Sequence, residues 1–87
     1  MYIDSYSDEI VKKLARLNKK DPFHYSKVRK KMDSILADPT HTYKFLGHDM
    51  KGANRVHLGH FVLVFVIDHE KKVVSFEDYD HHDKIYE

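Results

Sequence analysis

From Phe61 to Ile67 the chain reads Phe-Val-Leu-Val-Phe-Val-Ile without a polar interruption. A run this short, and this rich in β-branched and aromatic residues, reads as a strand buried on both faces. The residues before it alternate instead. Arg55 and His57 fall on one side of an extended segment, and Val56 and Leu58 fall on the other. Gly59 lies between the two halves and can take the backbone angles of a tight reversal. The stretch therefore predicts a hairpin whose inner strand lies mid-sheet and whose outer strand carries Arg and His on one face. The rest of the chain must cover that sheet and complete that face.

Upstream, Tyr2-Ile3 offers a short edge strand or an ordered arm. Ser5 or Ser7 can cap a helix, and Asp8 and Glu9 suit its positive end. Ile10, Val11, Leu14 and Leu17 repeat at helical spacing, with Lys12, Lys13 and Arg16 opposite and Lys19 and Lys20 at the close. Asp21-Pro22 is a strong helix start, because Asp caps and proline at the first position forfeits no needed hydrogen bond. Phe23, Tyr25, Val28, Met32, Ile35 and Leu36 form the next apolar stripe, and Asp38-Pro39 ends it. Helices are expected over 7–19 and 22–37, joined so tightly that they form an antiparallel hairpin. A short strand near Tyr43, the central hairpin and a further strand from Val73 to Asp78 place the sheet at 43–79, followed by a tail over 80–87. The expected fold is a single α+β domain over 1–87, with both helices on one face of a small, mainly antiparallel sheet.

At 87 residues the chain can bury one modest core, and with no cysteine it has neither disulfides nor a thiolate metal site. It has no signal-peptide pattern and no apolar run of membrane-spanning length, so a cytoplasmic location without membrane association is expected. The net charge of +1 hides a division: residues 1–55 carry +5 and residues 56–87 carry −4. A basic helical half beside an acidic, histidine-rich half suits contact with a polyanion, although helices also gather lysines on solvated faces for no such purpose.

Histidine is the anomaly. Of eight, His57, His60, His69, His81 and His82 fall in the sheet half. Asp78, Asp80, His81, His82 and Asp83 are all possible metal ligands, but adjacent histidines on an extended segment point to opposite sides, and there is no helical His-x-x-x-His pair. No metal and no other cofactor are expected. Any one of these imidazoles could simply pair with a neighbouring aspartate at the surface. What favours acid/base chemistry is their company: Arg55 two residues from His57, and Lys44 and Lys51 just upstream. Phosphate chemistry needs a cation where charge develops and a proton donor or acceptor within reach. Without a phosphate-cradling glycine loop or a recognisable nucleophile motif, RNA suits the inventory best, because its own 2′-OH can attack.

Lys44-Phe45-Leu46-Gly47, then Arg55-Val56-His57-Leu58-Gly59-His60-Phe61, then His81-His82-Asp83-Lys84-Ile85-Tyr86, in this order behind two helices, resemble the RelE/ParE superfamily of type II toxin–antitoxin toxins. The resemblance covers nearly the whole chain, and its specificity lies in the order and spacing of short motifs. It implies a RelE-like fold and a toxin that cleaves mRNA, ribosome-dependently in many members, and that is neutralised by a small cognate antitoxin. By position, Arg55 matches the first arginine of the family's Arg-x-Arg motif and His57 replaces the second. His81 matches the C-terminal histidine, His82 replaces the arginine after it, and Tyr86 matches the terminal tyrosine. A histidine at position 57 is closest in site chemistry to the His-using YafQ-like members. The implied roles are acid/base catalysis shared by His57 and His81 with His82 as a further candidate, charge stabilisation by Arg55, base stacking or histidine orientation by Tyr86, and RNA binding by Lys44 and Lys51. One position departs: Val62 stands where relatives carry a catalytic arginine. The alternatives are a ParE-like toxin that binds DNA gyrase without catalysis, or a catalytically inactive RelE-like binding protein.

Overall fold

The structure, a computed structural model, describes residues 2–45 and 52–86. Lys51, with Leu46 and Gly47 of the lysine–glycine motif, lies outside the described residues. The elements are β1 (Ile3–Tyr6), α1 (Asp8–Lys20), α2 (Pro22–Ala37), β2 (Lys44–Phe45), β3 (Ala53–Leu58), β4 (Phe61–Asp68), β5 (Val73–His81) and α3 (His82–Ile85). They form one five-stranded sheet in the order β1-β5-β4-β3-β2, antiparallel except where β1 runs parallel to β5. No helix among the described residues is long and apolar enough to cross a membrane.

The central strand is the one the sequence marks. In β4, Val62, Leu63, Val64 and Phe65 are all buried, so the strand is covered from both sides. Leu63 and Phe65 face the helices, in a core with Ile10, Leu14, Val28, Met32, Ile35, Val74, Phe76 and Tyr79. Val62 and Val64 face the other way, in a smaller cluster with Ala53, Val66 and Ile85. The hairpin closes through Gly59 at φ +61°, where a tight reversal was expected, and the turn is two residues long between Leu58 and Phe61. Val56 and Leu58 pack on the helix-side core, as their alternation with Arg55 and His57 requires.

Both helices begin where the capping chemistry places them. Ser7 Oγ accepts from Ile10 N and Asp21 Oδ1 accepts from His24 N. Two members of the expected apolar stripes do not bury: Val11 and Phe23 are 52% and 72% exposed. The inward row of α2 is His24, Val28, Met32 and Ile35, at spacings of four and three. Phe23 lies off that row and holds the Lys27 ammonium 4.7 Å above its ring. His24 takes the inward place, with Nε2 2.6 Å from the Tyr79 hydroxyl and its ring 4.7 Å from that of Phe61. Burial pushes the Tyr79 phenol up to about 12.

The sheet also runs further than expected. A β-bulge sets Val64 opposite Asp78 and Phe65 opposite Phe76, leaving Glu77 as the extra residue. The bulge resets the alternation of β5, so Val74 and Phe76 before it and Tyr79 after it all reach the same core. The strand then continues through Asp80 and His81, pairing with Val62 and Phe61, before the tail turns into α3. The segment expected as tail from residue 80 is thus strand for two residues and helix for four. Pairing to the hairpin extends the strand, and nothing in its local composition announces this.

Lys13 of α1 ties down this end of β5, 2.7 Å from Asp78 and 2.8 Å from Asp80. Burial opposes ionisation of Asp80. The hydrogen bond from Lys13, the one from His81 N and the lysine's charge outweigh it and hold the carboxyl below its ordinary value of 3.8. Burial likewise works against the Lys13 ammonium, and both carboxylates overcome it, so the lysine stays protonated across the accessible range.

Two outcomes follow for stability. Phe65→Ala empties the centre of the helix-side core and should cost about 3–5 kcal/mol, read by urea denaturation. Lys13→Met should cost about 1 kcal/mol at pH 7, discounted for the part-exposed carboxylates. Because the folded Asp80 is more acidic than the unfolded one, this difference should be full above the ordinary carboxylate value. It should close as pH falls through the lowered one. A gap that widened in acid would contradict the assignment.

Candidate functional site

The site forms on the sheet face that the two long helices leave uncovered. In β3, Arg55 and His57 are two residues apart and therefore share that face; in register they lie opposite Val64 and Val62 of β4. On the other side of β3, Lys44 is the cross-strand partner of Arg55. Two cations set directly opposite each other repel unless an anion lies between or above them.

The short helix α3 completes the site. His82, Ile85 and Tyr86 fall at i, i+3 and i+4, which places them on one side of a helical turn. Ile85 packs against the buried cluster of Ala53, Val62 and Val64. That contact lowers His82 and Tyr86 onto the strand that carries Arg55 and His57. The His82 ring lies 6.2 Å from His57 and 4.8 Å from Tyr86. Arg55 Nη1 donates to the Tyr86 hydroxyl at 2.6 Å, and its guanidinium carbon is 5.8 Å from the Tyr86 ring centroid. Arg55 Nε is a buried donor with no hydrogen-bond partner among the described residues. A buried donor left without a partner is costly, and the Arg55 side chain bears that cost in this position.

His81 goes elsewhere. As the last residue of β5 it pairs with Phe61 and lies with its ring 5.7 Å from Phe61 and 6.1 Å from His60. Its Nδ1 accepts the backbone N–H of Asp83 at 3.2 Å and so caps α3. The backbone N–H of His82 in turn donates to the His60 carbonyl at 2.7 Å. Of the residues singled out from sequence, then, Arg55, His57, His82 and Tyr86 converge. Lys44 flanks them through its pairing with Arg55, His81 stands beside the hairpin turn, and Lys51 lies outside the described residues. Val62, where the family resemblance leads one to expect an arginine, is fully buried beneath this face, opposite His57. It supplies packing for Ile85 and no charge.

Two contributors escaped sequence reading. Ile85 anchors the whole arrangement, and the three-and-four spacing of His82, Ile85 and Tyr86 was the signal for it. The His60 carbonyl fixes the start of α3, and no sequence signal marks a backbone acceptor.

Comparison with known proteins agrees with this architecture. No protein-family model matches the chain. It is 46% identical over 87 residues to an uncharacterized protein of Methanosarcina mazei, covering 99% of this chain and 100% of that one. It is 41% identical over 87 residues to "Putative toxin RelE4" of Methanocaldococcus jannaschii, covering 99% of this chain and 92% of that one. Among solved structures it is similar to the RelBE2 toxin–antitoxin complex of Mycobacterium tuberculosis (TM-score 0.76, 21% identity, 92% of this chain and 96% of that one). It is also similar to the DinJ-YafQ toxin–antitoxin complex of E. coli (TM-score 0.76, 19% identity, 99% and 98%). At these identities the solved structures speak for the fold, and the expected two-helix, mainly antiparallel RelE-like α+β architecture is the one found. The relationship over the full chain to the Methanocaldococcus protein carries more: this chain belongs to the RelE toxin family.

Proposed function

We propose that this chain is the toxin of a type II toxin–antitoxin pair and that it cuts messenger RNA by attack of the RNA's own 2′-hydroxyl. The reaction takes place on the ribosome in the cytoplasm and inhibits translation. The observation that carries this reading is the meeting of Arg55, His57, His82 and Tyr86 on the open sheet face. Two imidazoles, a guanidinium and a phenol suit phosphodiester transfer without a metal. One of His57 and His82, neutral, takes the proton from the 2′-oxygen, which bonds to phosphorus. The bond to the 5′-oxygen breaks, and the other histidine, protonated, gives that oxygen its proton. The products are a 2′,3′-cyclic phosphate and a 5′-hydroxyl. Arg55 meets the charge that develops on the phosphoryl oxygens.

Tyr86, partly exposed and bonded to Arg55, orients the guanidinium and offers its ring to a base. Lys44 and Lys51 bind the RNA backbone. The His57–His82 pair replaces the His57–His81 pair that the family pattern implies, since the ring near His57 is that of His82. With Val62 buried, Arg55 carries the phosphate charge alone or with Lys44. The partner is a small antitoxin protein, in keeping with the complexes in which similar folds have been solved.

Primer extension on transcripts from cells expressing the chain tests this reading. His57→Ala and His82→Ala should each lower cleavage by roughly 10²–10⁴-fold and relieve growth arrest, with unchanged circular dichroism. Tyr86→Phe, which keeps the ring but frees Arg55, should cost roughly tenfold. Full toxicity in both histidine variants would sink the assignment. Uncut transcripts accompanied by DNA breakage would instead favour a gyrase-binding toxin.

A further inference from the structure

We infer that His81, the histidine to which the family pattern assigns proton transfer, is a positioning residue: its Nδ1 caps α3 and thereby aims His82 and Tyr86 at Arg55 and His57. The inference rests on the proposed function for its kinetic consequence and on geometry for its structural one. A four-residue helix has no stability of its own, and nucleating one turn fixes several backbone angles for a single hydrogen bond. Three contacts hold this turn: Ile85 on the second face of β4, His82 N–H on the His60 carbonyl, and Asp83 N–H on His81 Nδ1 at 3.2 Å. The first sets its height above the sheet and the second fixes its start. The third satisfies an otherwise orphaned amide and sets the direction in which the turn leaves β5.

The cap also restricts the chemistry open to His81. To accept from Asp83 N–H, Nδ1 must carry no proton, so the ring is neutral with its hydrogen on Nε2. A proton on Nδ1 would set two donors against each other, although the Asp83 carboxylate, 3.7 Å away, could then turn toward it. The ring is flanked by Phe61 and His60 on the hairpin side, and among the described residues it stacks on neither His57 nor Tyr86. Position 81 thus demands a side chain whose acceptor sits two bonds beyond Cβ. Asparagine has that acceptor in place of the imidazole, is among the best N-cap residues, and cannot exchange a proton near neutral pH.

The test compares wild type, His81→Ala, His81→Asn and His57→Ala in two measurements. The first is the nuclear Overhauser contact between the His57 and His82 rings and between Tyr86 and Arg55, which needs no activity. Both contacts should persist in His81→Asn and weaken in His81→Ala. The second is transcript cleavage, where His81→Ala should lose roughly three- to thirty-fold, as expected for a lost cap. His81→Asn should recover most of that loss, and His57→Ala should fall much further. If His81→Asn is as inactive as His57→Ala while the ring contacts persist, His81 is a catalytic residue and the inference fails. It fails equally if His81→Ala leaves the contacts intact. Absence of cleavage by wild type would count against the proposed function alone, and the ring contacts would still decide the role of His81.

Discussion

Ile85 settling on Ala53, Val62 and Val64 is the contact on which the open face depends. The sheet would exist without it, because Leu63, Phe65, Val74, Phe76 and Tyr79 have the helices to bury them. The site would not. The four residues of α3 are too few to hold a helical turn alone, and the apolar second face of β4 gives that turn its place to pack. A central strand buried on both sides therefore does two jobs. One face supplies the core, and the other supplies the floor on which His82 and Tyr86 are brought to Arg55 and His57.

Val62 gains a physical meaning in that light. An arginine at this position would place a charge beneath His57 and beside Ile85. Valine closes the floor instead, and in the proposed reaction the phosphate charge falls to the cations of β3 and β2. The surroundings of Arg55 fit that burden. Its Nη1 is held by Tyr86, its Nε is buried without a partner among the described residues, and Lys44 stands opposite in the sheet. In the proposed reaction, two imidazoles and a guanidinium held by Tyr86 would share the work without a cation at position 62.

Much of this was legible in the chain because it is local. The alternation of Arg55, Val56, His57 and Leu58, the apolar run after Gly59, and the caps Ser7 and Asp21 each need only a few neighbouring residues to declare themselves. What stayed hidden depends on distant pairing. The parallel contact joins residues 3–6 to 73–76, and the extra Glu77 and the extension of β5 to His81 are settled by register with β4; no short window contains either pairing. Those same features decide that His82 and not His81 turns toward His57. Phe23 misled for a different reason: it matches the composition of the α2 stripe but not its angular row, where His24 stands. The cationic role given to Lys51 lies outside the described residues.

The central claim is that the RNA's own 2′-oxygen attacks phosphorus under the control of His57 and His82. The chemistry of the cut ends tests it most directly. Fragments recovered from cells expressing the chain should carry a 5′-hydroxyl on the downstream piece, which a ligase joins only after phosphorylation. The upstream piece should carry a cyclic or ring-opened 3′-phosphate. Downstream fragments bearing a 5′-phosphate would mean that water or a metal hydroxide attacked instead, and would contradict the account.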